Sequence, residues 1–265
     1  MSGVTLQNRE IWRDPAVVNR YSEQSLFRPE QVILDMLRDT LRKSRMLDIG
    51  VGGGRTSHHF ARLAKEYVGI DYSPEMTKAC KSGIRPGVDL MTSDARALPF
   101  RNGRFDFILF SYNGIDCLSH KDRLQAFREV ARVGCKGGYF CFSTHNLDWL
   151  KSERGTLSQP ILAGVRSLIP RPRTLVVTIR DRLLFRYFNR HLLSRTTGPY
   201  LIVRDGSERV NLYYYYIRPV DQMRQLAAAG FNDICVIDGH GTVIREEHKL
   251  ENTDGGWLHY VCRVQ

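Results

Sequence analysis

A chain of 265 residues with 42% hydrophobic content can bury one large core, which excludes the disordered and fibrous classes. Its net charge of +11 admits phosphate-bearing partners, while no apolar run reaches the roughly 18 residues of a bilayer-spanning helix and residues 1–15 carry no signal-like apolar stretch, so a cytoplasmic location is expected. Cys80, Cys117, Cys135, Cys141, Cys235 and Cys262 include no C-x-x-C pair and read as reduced thiols; no metal site is expected.

In chain order, an opening segment with Trp12, Asp14-Pro15 and Tyr21 precedes Arg28 to Lys43. There Val32, Ile33, Met36, Leu37 and Leu41 recur near helical spacing, so a helix is predicted ahead of the first strand. The apolar run from Met46 to Ile49 is too short for a helix and ends in Gly50-Val51-Gly52-Gly53-Gly54, after which Thr56 to Lys65 is helix-compatible. That reads as strand, tight turn, helix. A sharp reversal at a strand end needs positive φ and lets a ligand approach where a β-carbon would obstruct it. The dinucleotide fingerprint G-x-G-x-x-G fails at Arg55. What stands instead is an acid two residues before the first glycine, D-x-G-x-G-x-G at Asp48, Gly50, Gly52 and Gly54. Simple chain reversal is the competing reading of these glycines.

This loop resembles that of the class I methyltransferases that use S-adenosylmethionine (SAM). The resemblance implies that Asp48 hydrogen-bonds, directly or through water, near the ammonium end of the methionine moiety, and that the backbone of Gly50, Val51, Gly52 and Gly54 lies against it. It also implies an N-terminal cap in which Tyr21 touches the methionine carboxylate or the acceptor; packing of the cap onto the sheet is the alternative. The second strand, Glu66 to Asp71, ends in an acid 23 residues after Asp48, where a carboxylate can accept from both hydroxyls of a ribose, with Tyr72 beside it. Ser73-Pro74 supplies an N-cap and an N1 proline for a helix. Met76 on that helix would pack against adenine by resemblance, or simply pack the helix. A third strand, Val88 to Met91, leads to Asp94 and Ala95, to which the resemblance gives the adenine amine and a ring nitrogen; a helix cap is the plainer reading of Asp94.

Asn102-Gly103 is a turn and Phe105 to Phe110 the fourth strand, with Phe110 and Ser111 completing the expected cofactor set. Tyr112-Asn113-Gly114-Ile115-Asp116 then lies at the switch point of such a sheet, where acceptor must meet cofactor. The Asn/Asp-Pro-Pro-Tyr/Phe signature of adenine and glutamine N-methyltransferases is absent, as are the paired cysteines of cytosine C5 enzymes. A helix, Lys121 to Val133, and the turn Gly134-Cys135-Lys136-Gly137-Gly138, where the family usually has Leu-Lys-Pro-Gly-Gly, precede a fifth strand, Tyr139 to Ser143, ending at Thr144-His145-Asn146. An acceptor hydroxyl can need a general base within hydrogen-bond reach, and the candidates are His145, His120 and Tyr112, with Asp116 near them; a lone histidine is more often structural.

Leu147 to Ile217 interrupts the family pattern. Leu175 to Leu193 reads as a basic amphipathic helix, and Tyr200 to Val203 with Val210 to Ile217 as a hairpin whose Tyr213 to Tyr216 alternate between core and pocket. Lys151 to Arg204 holds eleven Lys and Arg against Glu153 and Asp181. A helix from Arg218-Pro219 to Ala229 and strands Asp233 to Asp238 and Trp257 to Arg263 close the chain. The expected fold is α/β: a doubly wound, seven-stranded, mostly parallel sheet with an antiparallel last strand, the Rossmann-like methyltransferase fold, plus an inserted lid. Its parts are an N-terminal cap (1–27), a SAM-binding core (28–146), a basic lid (147–217) and a completion of the core (218–265). The resemblance implies SAM as cofactor and methyl transfer to a hydroxyl or other heteroatom of a small acceptor, such as a sugar or natural-product intermediate. The lid's charge points to an anionic acceptor. An RNA methyltransferase and a non-catalytic SAM-binding module are the alternatives, and the lid could instead rest on an anionic membrane. No aromatic-basic nucleic-acid module is present in the basic segment, which disfavours RNA.

Overall fold

The computed structural model describes residues 5, 8, 11–12, 25–84, 87–152, 172–192, 198–205, 212–250, 253 and 255–265. The elements that position the site are α1 (Arg28–Met36), α2 (Arg38–Lys43), β1 (Arg45–Ile49), α3 (Ser57–Phe60), β2 (Glu66–Asp71), α4 (Pro74–Gly83), β3 (Asp89–Thr92) and β4 (Phe105–Phe110). A 3-10 turn (Gly114–Cys117), α5 (His120–Val133), β5 (Gly134–Asn146), α6 (Leu147–Lys151), α7 (Pro172–Asn189), β6 (Tyr200–Asp205) and β7 (Leu212–Ile217) follow. The chain ends with α8 (Pro219–Ala228), β8 (Phe231–Ile237), β9 (Val243–Ile244) and β10 (Trp257–Val264).

Among the described residues the strands form a ten-stranded sheet ordered β3-β2-β1-β4-β5-β10-β8-β9, with the β6/β7 hairpin joined through β7 to the end of β5. β3, β2, β1, β4 and β5 run parallel, and β10 is antiparallel to both β5 and β8. The expected α/β sheet with an antiparallel last strand is therefore present; β9 and the hairpin widen it beyond seven strands. β4 is buried on both faces. Its Ile108 and Phe110 join a core with Phe127 and Val130 of α5 and Leu226 of α8, and its Phe107 and Leu109 join another with Ile33 and Leu41 of α1 and α2 and with Phe60. A strand covered by helices on both sides has to be apolar in both directions, which is why Phe105 to Phe110 reads as a nearly unbroken apolar run.

Three elements differ from expectation. The helix predicted over Arg28 to Lys43 breaks at Leu37, whose φ of −111° and ψ of 14° leave the helical region, although the Leu37 N–H to Ile33 O and Leu41 N–H to Leu37 O bonds run across the break. The helix after the glycine loop is one turn, because Leu63 N–H and Ala64 N–H both bond to Phe60 O and tighten the chain so that it drops back into β2. α7 is a helix as predicted but not an amphipathic one: Phe185 and Asn189 are buried while the apolar Leu183, Leu184 and Tyr187 are exposed. The remaining insertion segments, 153–171, 193–197 and 206–211, lie outside the described residues, as does Tyr21. No described helix is long and apolar enough to cross a membrane.

Candidate active site

A cavity of ≈ 260 Å³ opens where the parallel strands end, lined by residues from the ends of β1, β2, β4 and β5 and from β7 and β10. Its first half is built on the glycine loop. Gly50 N–H and Val51 N–H both donate to Ile70 O, at 2.7 and 3.1 Å, which ties the loop to β2. Gly52 has a φ of +53° and a β-carbon there would meet nothing within 4 Å, so its bare side faces the open cavity. Asp71 is buried at the end of β2 and lines the cavity; its Oδ2 accepts from Gly52 N–H at 3.0 Å and its Oδ1 from Ser73 N–H at 2.9 Å. Burial pushes its carboxyl up to about 6, against the lowering effect of those backbone bonds. Ser73 caps α4 by accepting from Met76 N–H at 3.2 Å, which sets the buried Met76 on the cavity wall. Asp94, Ala95 and Tyr72 also line it, and Asp94 is forked by Arg96 at 2.9 and 2.6 Å.

The second half is set by sheet register. In β5, His145 pairs with Tyr216 of β7 on one side and with Trp257 of β10 on the other. Side chains directly opposite across a ladder project to the same face, so these three rings rise together into the cavity, with Tyr214 two residues along β7. The His145 ring lies 4.6 Å from Tyr216 and 4.9 Å from Tyr214, and perpendicular to Trp257 at 5.8 Å. After β4 the backbone takes two consecutive left-handed residues, Tyr112 (φ 55°) and Asn113 (φ 56°). Such residues cost about 1–3 kcal/mol each and persist only where the surroundings enforce them. Here Asn113 N–H donates to Ser143 Oγ at 2.8 Å and the turn delivers Tyr112 to the cavity rim, T-shaped on Trp257 at 5.3 Å. The same turn places Asp116 behind His145. Its Oδ2 accepts from His145 Nδ1–H at 2.7 Å and His145 N–H at 2.8 Å, while its Oδ1 accepts from Thr144 Oγ at 2.6 Å and from the Arg123 guanidinium. Asp116 and Arg123 are both fully buried. Because the carboxylate can only accept, the proton of a neutral His145 sits on Nδ1 and Nε2 is left as a base near Asn113 Nδ2, at 3.4 Å.

Residues 46–138 match the model of the methyltransferase domain family. Ajmaline N-methyltransferase of Rauvolfia serpentina is 34% identical over 118 residues, covering 40% of this chain and 38% of that protein. An uncharacterized methyltransferase of Bacillus subtilis, YcgJ, is 30% identical over 145 residues, covering 52% of this chain and 53% of that protein. The chain thus spans about half or less of the length of these curated relatives. Among solved structures, Burkholderia thailandensis 1,6-didemethyltoxoflavin-N1-methyltransferase superposes with a TM-score of 0.57 at 13% identity, covering 98% of this chain and 88% of that one, a likeness of fold. Residues 46–138 of the chain thus carry a methyltransferase domain.

The cofactor half of this methyltransferase domain fits SAM by its own chemistry. Gly52 leaves open the space a side chain would fill, and the Asp71 carboxylate, which accepts from the Gly52, Ser73 and Tyr72 N–H groups, keeps acceptor capacity for a ribose hydroxyl. The domain departs from the expected assignments at several positions. Asp48 does not line the cavity: it is buried beneath the loop, its Oδ2 accepting from Thr56 Oγ at 2.8 Å and Tyr67 OH at 2.7 Å, and burial pushes it up to about 6. It braces the loop from below. Val51 and Gly54 shape the loop without reaching the cavity wall, whereas Gly50, Phe110 and Ser111 do reach it. His120 is not at the cavity either; its ring stacks on Tyr200 at 4.4 Å and its Nδ1 meets Tyr215 OH at 2.8 Å, so it packs the hairpin against α5. His145 and Tyr112 are at the cavity, and Tyr214 and Tyr216 face it as the alternation of β7 predicts.

Sequence reasoning gave no site role to several contributors. Thr5, Asn8 and Trp12 line the cavity from the N-terminal segment, and their spacing is that of one helical face. Asn8 ties that segment down, donating to Cys117 O at 2.9 Å and Tyr213 O at 2.7 Å. Arg123 shares its helical stripe with Ala126, Phe127 and Val130, so a charge at an apolar-face position was the available signal. Arg55, where the dinucleotide fingerprint fails, forms a buried pair with Glu30, which also accepts from Ser111 Oγ and, at 2.8 Å, from Phe27 N–H. Burial pushes Glu30 up, and Arg55 outweighs it to hold the carboxyl below the usual range. Trp257 gave no signal before the register of β10 was known.

Proposed function

We propose that this chain is a SAM-dependent methyltransferase that methylates a hydroxyl or ring N–H of a small acceptor, with His145 as general base. The observation that carries the reading is the His145–Asp116–Arg123 chain, which ends in Nε2 at the cavity. Asp71 and the Gly52 backbone would hold the ribose side of SAM, Met76, Asp94 and Ala95 the adenine side, and Phe110 and Ser111 the wall between cofactor and acceptor. When bound, SAM supplies a methyl group on a sulfonium, whose sulfur keeps the bonding pair and becomes a neutral thioether. His145 Nε2 takes the proton that the acceptor oxygen or nitrogen gives up. The resulting imidazolium donates from Nδ1 to Asp116 Oδ2, while Arg123 donates to the other oxygen of that carboxylate. Two relatives named above are N-methyltransferases, which favours keeping N–H acceptors beside hydroxyls.

An anionic acceptor finds little support in the lining. Among the described lining residues the only Lys or Arg is Arg96, and Asp94 and Asp122 already engage it, the latter at 3.1 Å. Labelled-SAM transfer over an acceptor panel, compared with His145→Ala, tests the proposal. Turnover should fall by roughly a hundredfold or more, the lower end of what a general base supplies, while SAM affinity stays within about twofold, since His145 stands apart from the residues assigned to SAM. Full turnover in the variant would remove the base.

A further inference from the structure

We propose that the acceptor half of the cavity is a slot for a planar, uncharged aromatic ring that carries the group to be methylated; this rests on the methyltransferase reading above. Three observations carry it. First, the walls are aromatic and cross at right angles: His145 stands 85° to Trp257, and Trp257 stands 86° to Tyr112, while Tyr214 and Tyr216 flank the histidine at 44° and 34°. A flat guest can lie face-on to one wall and edge-on to the next, the two arrangements that ring quadrupoles favour, whereas a puckered saturated ring meets only one wall at contact distance.

Second, this half offers no uncompensated charge. The lining carboxylates, Asp71 and Asp94, belong to the ends of β2 and β3, on the far side of β1 from β5. Asp116 lies behind His145 and is paired with Arg123. A cationic guest therefore meets no carboxylate here, and because the one described lining Arg, Arg96, follows β3 paired with Asp94, an anionic guest meets no described Lys or Arg in this half. Third, the walls are held in place before any guest arrives. His145, Tyr216 and Trp257 are ladder partners, and Asn8 fixes the Tyr213 backbone by bonds of 2.7 and 2.8 Å in both directions, so β7 cannot slide. A slot assembled from three strands selects shape by rigidity.

The test uses the full chain with S-adenosylhomocysteine and three probes: 2-naphthol, its saturated counterpart decahydro-2-naphthol, and 6-hydroxy-2-naphthoate, each followed by calorimetry. The expected result is that 2-naphthol binds about tenfold or more tighter than either of the others, given stacking and the cost of burying a carboxylate. Tyr214→Leu should bring naphthol and its saturated counterpart within about threefold of each other, and Tyr214→Phe, which keeps the ring, should retain the preference. Equal binding of the flat and puckered alcohols, or tightest binding of the carboxylate, overturns the proposal. So does a Tyr214→Leu variant that loses S-adenosylhomocysteine instead, because the rings would then serve the cofactor. A protein that takes up S-adenosylhomocysteine but no naphthol keeps the methyltransferase reading and loses this one; a protein that takes up no S-adenosylhomocysteine loses both.

Discussion

Asp116→Asn separates a positioning role from a structural one. The native carboxylate accepts on Oδ2 from His145 N–H at 2.8 Å and Nδ1–H at 2.7 Å, and on Oδ1 from Thr144 Oγ at 2.6 Å and from Arg123. An asparagine has one acceptor to replace two. If its oxygen faces Arg123 and Thr144, its NH2 points at His145, whose neutral ring must then accept at Nδ1 and carry its proton on Nε2. The base is lost at the cavity. Turnover should then fall by roughly a hundredfold to ten-thousandfold, the span of general-base contributions. Arg123, with no exposure, also loses its counter-charge, and breaking such a buried pair costs about 3–5 kcal/mol. Both effects are measurable on one sample: kcat at saturating SAM against pH, and urea unfolding. Since Asp116 touches nothing in the cofactor half, SAM affinity by calorimetry should hold. The reasoning is refuted if the variant unfolds at the native urea midpoint, or if it turns over at the native rate while folded.

The other predictions concern the cofactor half and the histidine excluded from it. Asp71→Ala should weaken SAM by ~1–3 kcal/mol, the range for a hydrogen bond to a charged group, and calorimetry on a folded variant that shows no change would end the ribose assignment. The Asp71 carboxyl stands near 6 before ligand arrives, and a ribose diol is best accepted by the ionised form. Affinity is therefore nearly full above about pH 7 and should fall as pH drops through 6, by about tenfold at pH 5; a flat profile from pH 5 to 8 contradicts this. Gly52→Ala puts a methyl into the cavity at a φ of +53°, so SAM binding should drop by about tenfold while far-UV circular dichroism stays native. His120→Ala removes a stacked ring outside the cavity and should cost about 1 kcal/mol of stability with kcat unchanged; a collapse of kcat in the folded variant would return His120 to the site.

The cofactor half was legible because it is local. Each acid stands at the end of a strand that leads into its own loop, and strand parity then sorts them. Asp48 lies between Leu47 and Ile49, which join one core, and so points with Met46 toward the other. Its departure from the expected role is a consequence of that alternation, which the sequence already contained. Arg123 was likewise legible in principle as a charge on an apolar stripe. The acceptor half was not, because its geometry is a matter of register between strands far apart in the chain. Nothing near His145 in sequence says that Tyr216 and Trp257 will flank it; the pairing follows from β10 running antiparallel into the gap beside β5 and from β7 docking on the other side of its last two residues.

The same distinction decides what the basic charge can mean. Net charge is read from composition and seemed to describe the acceptor, but a field acts on a guest only from where its sources sit. Arg180 of α7 and Arg190 just beyond its end are exposed, and the Arg204 guanidinium lies 3.9 Å over the Phe188 ring rather than among the cavity residues. Among the described residues, the part of the insertion that reaches the cavity is β7, and it contributes tyrosines. A charged surface around an uncharged slot makes two separate predictions: salt should leave the affinity for 2-naphthol nearly unchanged, because no ion pair forms on binding, yet it should shift the protein's retention on a cation-exchange resin strongly. Salt sensitivity of the naphthol affinity itself would mean that one of the surface arginines reaches the acceptor after all.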